Sequence, residues 1–145
     1  MTYSPLQEMI EKIQKTGFCN AHAHFDRAYT VTREDLKETV NNHLFEKWKL
    51  VDEFKKSAAM ERYFVNFDKA LTAQKDFGVT SALSFVDLDP VCGERPLNAA
   101  IHAKVLAKQL GIDLRIANQT LKGVLIPEPR ALLESRIEEF DVIGC

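Results

Sequence analysis

The chain has 145 residues, of which 46% are hydrophobic and 28% are charged, and its formal net charge is −2 at pH 7. This composition is typical of one folded domain with a buried core, and it excludes an intrinsically disordered chain. Without a basic patch or stripe, the sequence also argues against a nucleic-acid-binding protein.

The cysteines and the N-terminal residues indicate the cellular compartment in which the protein is expected. The three cysteines are far apart and form no Cys-x-x-Cys pair, so they predict neither a disulfide framework nor a zinc ribbon. Glu8 and Glu11 interrupt the first fifteen residues, which therefore lack the apolar core of a signal peptide. No run approaches the ~18 apolar residues of a membrane span. We expect a cytoplasmic protein with no membrane partner.

The first predicted element is a helix over 4–16. Ser4 is a suitable N-cap, Pro5 suits the first helical position, and Gly17 ends the helix. Its apolar residues recur at helical spacing and predict an amphipathic helix. They are Leu6, Met9, Ile10 and Ile13.

Strands and helices then alternate along the chain. The pattern predicts strands at 18–25, 79–86 and 112–120, the start of a fourth strand at 141, and helices over 35–57 (broken near Asn41-Asn42), 59–77, 95–110 and 128–139. The inner side of helix 59–77 is predicted to include Phe77, with Gly78 as its C-cap.

This alternation predicts an α/β protein whose strands form a parallel sheet. The sequence contains no Gly-x-Gly-x-x-Gly and no Gly-x-x-x-x-Gly-Lys-Ser/Thr, which argues against a nucleotide-binding α/β fold. Two architectures remain open, a flavodoxin-like open sheet and part of a (β/α)8 barrel.

The most informative motif is the pair His22 and His24 at the end of the first strand. Residues two apart in a strand point to the same side, so both imidazoles share a face with Phe18 and Asn20. Neutral imidazole is a good ligand for zinc and iron. The pair therefore suggests a site for one divalent metal ion, although polar residues ending a strand near solvent are the alternative.

Other polar residues fall at the ends of the next two strands, which in both architectures meet at the working edge of the sheet. Asp87 and Asp89 follow the second strand, where turn formation before Pro90 is the alternative role. Asn118, Gln119 and Thr120 end the third strand, as substrate contacts or as a polar strand end. His43 and His102 are interpreted as surface or packing residues, and Trp48 as a helix core residue.

Segment 17–27, Gly-Phe-Cys-Asn-Ala-His-Ala-His-Phe-Asp-Arg, resembles the first-strand signature of the amidohydrolase superfamily, and in particular its cytosine deaminase-like branch. The order of helices and strands follows the same layout over nearly the whole chain. The resemblance implies that His22 and His24 bind Zn or Fe, and that the metal-bound water hydrolyses a non-peptide C–N bond of a small-molecule substrate. It also implies substrate-binding roles for Asp26, Arg27, Asp87 and Gln119, while no catalytic residue is assigned.

The chain departs from this family in three respects. A helix stands where family members have strands of a small β-sandwich, and Leu121 aligns with the glutamine that reads cytosine. The remaining site residues of the family come from later strands. The resemblance thus implies one domain over 1–145 with about four strands, the first half of a (β/α)8 barrel, and a fragment that is inactive alone.

Such a half barrel leaves open strand edges, which favour association. We expect a homo-oligomer or association with the missing barrel half, unless the N-terminal helix covers the open sheet. The alternative function is a non-catalytic α/β association domain that retains the His-x-His strand as a remnant.

Overall fold

Three parallel strands form the sheet of this α/β protein, in the order β1-β2-β3. The computed structural model describes residues 4–31, 35, 43–121 and 123–144. The strands are β1 (Phe18–Ala23), β2 (Val79–Asp87) and β3 (Asp113–Gln119). The helices are α1 (Pro5–Thr16), α2 (Leu44–Ser57), α3 (Met60–Asp76), α4 (Arg95–Gln109) and α5 (Pro127–Ser135), with short 3-10 turns at Phe25–Arg27 and Ile137–Glu139.

The predicted α/β class and the parallel pairing of the first three strands are confirmed. The predicted fourth strand is reduced to a single parallel bridge between Val142 and Ala117. The Asp141 carboxylate accepts the backbone N–H of Ile116 at 2.8 Å. In a longer strand ladder, a backbone carbonyl would accept this N–H instead. In the described part of the chain the sheet therefore has three strands.

One face of the sheet is covered by α3 and α4. Ala82, Ser84 and Val86 alternate on β2 and are all buried on this side. The buried positions of helix α4 between residues 99 and 107 are all alanines, which allows close approach of the neighbouring elements. Its buried alanines are Ala99, Ala100, Ala103 and Ala107.

The opposite face of the sheet is open in the described residues. Phe18 is 49% exposed, and Leu83 and Phe85 on β2 are only partly buried. Helix α1 does not cover this face, since none of its residues is buried. The N-terminal helix therefore does not act as the cover that one sequence-based alternative allowed.

Helix α1 itself begins and ends as predicted. The Ser4 hydroxyl accepts a hydrogen bond from the backbone N–H of Gln7 at 3.3 Å, and Gly17 follows the helix with φ of +71°. Its apolar side is exposed, with Leu6 at 60%, Met9 at 53% and Ile10 at 44%.

The prediction that Phe77 lies on the inner side of helix 59–77 is wrong. Phe77 is 74% exposed because α3 ends at Asp76 and Gly78, with φ of +76°, turns the chain outward. Asn66 is buried on that helix instead. The predicted break near Asn41-Asn42 and the side chain of Trp48 lie outside the described residues.

No helix within the described residues is long and apolar enough to cross a membrane.

Candidate metal and substrate site

The two histidines of β1 meet on the open face of the sheet. The register between β1 and β2 shifts between Asn20 and Ala23, so that both residues pair with buried positions of β2, Ala82 and Ser84. His22 is exposed and His24 is half-buried, and both rings pack against Phe85 with centroid distances of 4.6 Å and 5.7 Å. The two imidazoles therefore lie on the same side, as predicted. The prediction that Asn20 shares their face is wrong, because Asn20 pairs with the buried Ala82 and its Nδ2 donates to Oε1 of Gln74 on α3 at 2.8 Å.

The spacing of the two rings suits a shared metal ion. Nε2 of His22 lies 3.3 Å from Nε2 of His24. Two imidazole nitrogens bound at about 2.0–2.1 Å to one tetrahedral ion lie about 3.3–3.4 Å apart. The pKa of His24 lies below its usual value because the ring is partly buried and because the cationic Arg27 lies beside it. These features favour the neutral form that binds metals.

A third metal ligand is missing from the described part of the chain. No group of three or more His, Cys, Asp or Glu side chains lies close enough together there to hold an ion. A catalytic zinc site uses three protein ligands and an open position. The two histidines therefore fit part of such a site, and the remaining ligands would have to come from elsewhere.

Arg27 connects the histidines to the ends of the other two strands. Its Nη2 lies 2.8 Å from Nδ1 of His24 and 2.6 Å from Oε1 of Gln119, and its Nε lies 3.7 Å from Oδ2 of Asp87. The Arg27 side chain is 21% exposed. Three of the four predicted substrate-binding residues are thus adjacent to one another and to the histidine pair.

Asp87 lies at the bottom of this group and is paired with a buried cation. Nζ of Lys55, on α2, lies 2.8 Å from Oδ2 of Asp87 and 2.8 Å from Oδ2 of Asp89. All three side chains are at most 1% exposed. Neither carboxylate oxygen of Asp87 has a hydrogen-bond partner in the described residues, so its contact with Lys55 is an ion pair without a hydrogen bond.

The electrostatics of Lys55 and Asp89 follow from this pairing. Burial by itself would lower the pKa of Lys55, but the Asp87 and Asp89 carboxylates outweigh it and raise that pKa. Burial would likewise raise the pKa of Asp89, but the hydrogen bond from Lys55 lowers it. Both groups are therefore charged at neutral pH.

Asp26 lies beneath the site and is fully buried. Its Oδ2 accepts the backbone N–H of Asp87 at 2.9 Å, and its Oδ1 accepts the backbone N–H of Arg27 at 2.9 Å. Burial raises the pKa of Asp26 to about 7, and the nearby Asp87 carboxylate contributes to the rise. These hydrogen bonds join the ends of β1 and β2. The burial of Asp26 does not favour a direct contact with substrate, which stays a prediction.

The remaining polar residues at the strand ends have local roles. Oδ1 of Asp89 accepts the backbone N–H groups of Val91 and Cys92, which is the turn role considered for it. Asn118 is buried, donates to Thr120 and accepts the backbone N–H of Gly144. His43 and His102 are exposed, at the start of α2 and on α4.

Sequence reasoning missed Lys55. Its neighbours one turn away on the inner side of α2, Val51 and Ala58, are partly and fully buried, so a lysine interrupts the buried side of the helix. A charged residue at such a position needs a buried partner of opposite charge. That signal was present, but only the fold identifies Asp87 and Asp89 as the partners.

Comparisons with known proteins bear on the fold and on the extent of the chain. No protein-family model matches the sequence. An uncharacterized protein of Haemophilus influenzae is 41% identical over 134 residues, which are 92% of this chain and 48% of that protein. The chain thus spans about half the length of this curated relative.

Among solved structures, the chain is similar to N-isopropylammelide isopropylaminohydrolase from Burkholderia multivorans, with a TM-score of 0.60 and 20% identity. The match covers 87% of this chain and 31% of that enzyme. At this identity the likeness concerns the fold. The α/β unit described above is therefore shared with about a third of an aminohydrolase.

Proposed function

We propose that this chain is the N-terminal part of a metal-dependent amidohydrolase or deaminase that hydrolyses a non-peptide C–N bond of a small molecule. The observation that carries the proposal is the 3.3 Å separation of the His22 and His24 Nε2 atoms. It lies at the carboxyl ends of parallel strands, where enzymes of barrel folds place their sites. The shared fold with an aminohydrolase supports it.

In this proposal the three strands belong to the first half of a (β/α)8 barrel. The open face of the sheet would become the interior of the barrel, where side chains from neighbouring strands pack in layers. The partly buried Leu83 and Phe85 would then be covered, and His22 would lose its exposure to solvent. Residues from a further segment would complete the ligand set, so the 145 residues alone would be inactive.

His22 and His24 would hold a zinc or iron ion. A metal ion bound there would lower the pKa of its water to about 7 and so supply hydroxide at neutral pH. Arg27, with Gln119 held against it, would bind and orient the polar part of the substrate. Asp87 would fix the Arg27 side chain from below.

Metal analysis of the protein purified from its own gene tests the proposal. We expect about one zinc or iron per chain, lost in the variant carrying His22→Ala and His24→Ala. The matched control carries His43→Ala and His102→Ala, which remove two exposed imidazoles distant in sequence from the pair. Unchanged metal content in the first variant would contradict the proposal.

A second candidate function is favoured by the exposed apolar side of α1. Leu6, Met9 and Ile10 present a continuous hydrophobic surface, as expected of an association domain. In that case the wild-type chain sediments as a dimer or larger species at micromolar concentration, and Met9→Lys shifts it to the monomer. A wild-type monomer would contradict this second candidate and leave the first one standing.

A further inference from the structure

The contact between Arg27 and His24 determines which ring nitrogen carries a hydrogen. Nη2 of Arg27 lies 2.8 Å from Nδ1 of His24. A guanidinium group can only donate hydrogen bonds, so Nδ1 must accept and must carry a lone pair. The His24 ring is therefore neutral, with its one hydrogen on Nε2.

The same reasoning assigns the hydrogen of the neighbouring ring, that of His22. Nε2 of His24 lies 3.3 Å from Nε2 of His22. Because Nε2 of His24 carries the hydrogen, it donates, and Nε2 of His22 accepts. A neutral His22 ring then carries its own hydrogen on Nδ1. The two histidines are thus in opposite tautomers, and the N–H between them lies where both rings would contact a shared ion.

We propose that Arg27 is a positioning residue that holds His24 in the tautomer that cannot bind a metal through Nε2, so that an ion shared by the two Nε2 atoms and the Arg27–His24 hydrogen bond exclude one another. The assignment of the His24 tautomer rests on the geometry alone, whereas the mutual exclusion of ion and hydrogen bond rests on the proposed function. A metal-bound His24 needs a lone pair on Nε2 and a hydrogen on Nδ1. That hydrogen would face the Arg27 N–H, so two donors would oppose each other.

The structure offers Arg27 other acceptors once this bond breaks. Its Nη2 already lies 2.6 Å from Oε1 of Gln119, and its Nε lies 3.7 Å from Oδ2 of Asp87. Asp87 is buried, and neither of its carboxylate oxygens has a hydrogen-bond partner among the described residues. Nδ1–H of His24 would in turn need an acceptor, since metal-binding histidines donate their other N–H to an oxygen.

Nitrogen-detected NMR of the imidazole rings in the metal-free protein tests the tautomers directly. We expect hydrogen on Nε2 for His24 and on Nδ1 for His22. Arg27→Met should remove the preference at His24. Arg115→Met, which removes an exposed arginine of β3, should leave both rings unchanged. A hydrogen on Nδ1 of His24 in the wild type would overturn the proposal.

Zinc affinity of the protein purified from its own gene, measured by competition with a chromophoric chelator, tests the exclusion. Loss of one hydrogen bond to a charged group predicts that Arg27→Met binds zinc at least about tenfold more tightly than the wild type. Arg115→Met should match the wild type. Equal affinities for Arg27→Met and wild type would overturn the exclusion. Absence of zinc binding in both would contradict the proposed function, and the NMR result would still decide whether Arg27 positions His24.

Discussion

Replacement of Lys55 by methionine tests whether the buried ion cluster stabilises the fold. Lys55 is 1% exposed and lies 2.8 Å from carboxylate oxygens of both Asp87 and Asp89. Methionine fills a similar volume but removes the only cation that contacts both carboxylates in the described residues. Two buried negative charges then lose their partner, which costs about 3–5 kcal/mol in comparable cases.

Lys104 provides a matched control. It also forms a lysine–aspartate pair, 2.7 Å from Asp141, but its side chain is 33% exposed and that of Asp141 is 26% exposed. Solvent screens such a pair, so Lys104→Met should cost about 1 kcal/mol or less. The two lysines share residue type, partner type and contact distance, and they differ in burial and in the second carboxylate beside Lys55.

The assay is urea unfolding followed by circular dichroism at neutral pH. We expect Lys55→Met to lower the free energy of unfolding by several times more than Lys104→Met does. The excess loss should shrink at acidic pH, because Asp89, without the hydrogen bond from Lys55 that lowers its pKa, can take up a proton in the variant. Equal losses in the two variants would refute the account of a stabilising buried ion cluster.

Two further predictions concern the end of β1 and the turn before it. The folded-state pKa of Asp26, about 7, lies above the unfolded value of 3.8, so its contribution to the unfolding free energy falls as pH rises from about 4 to about 7. In Asp26→Asn the unfolding free energy should fall less over this pH interval, as measured by unfolding curves at several pH values. An unchanged slope of unfolding free energy against pH would contradict the raised pKa of Asp26. Gly17→Ala places a Cβ 2.3 Å from Cγ2 of Thr80 in a conformation that favours glycine, and should cost about 1–3 kcal/mol or more. Gly111→Ala has a similar positive φ but no atom within 4 Å of the new Cβ, so a cost as large as that of Gly17→Ala would show that the contact with Thr80 is unimportant.

Much of the fold could be predicted because it depends on local patterns. The spacing of apolar residues, Ser4 as N-cap and the glycines after helices locate most elements to within a few residues. Phe77 was misplaced because periodicity continues past the residue at which the helix stops, and only the turn at Gly78 shows which way the side chain goes. The predicted start of a fourth strand is present as one parallel bridge between Val142 and Ala117, and the Asp141 side chain accepts the backbone N–H of Ile116 beside it.

The site could be predicted where it depends on the parallel order of the strands, since the residues that follow parallel strands meet at one edge, which brings Arg27, Asp87 and Gln119 together. His22 and His24 meet as predicted, but strand alternation is not the reason, because the register shifts after Asn20 and His24 lies beyond the end of β1. The inward direction of Asp26 was not predictable, since it depends on the 3-10 turn that follows β1.

The sequence pattern also could not identify the partners of the buried charges. The pairing of Lys55 with Asp87 and Asp89 joins residues more than thirty positions apart, and its existence depends on how α2 packs against the end of β2.

The most direct test of the central claim is anomalous X-ray scattering at the zinc edge from crystals of the protein grown with zinc. The account predicts one anomalous peak about 2.0–2.1 Å from Nε2 of both His22 and His24, with Arg27 no longer bonded to Nδ1 of His24. Zinc bound elsewhere, with the two imidazoles still in contact with each other, would contradict it.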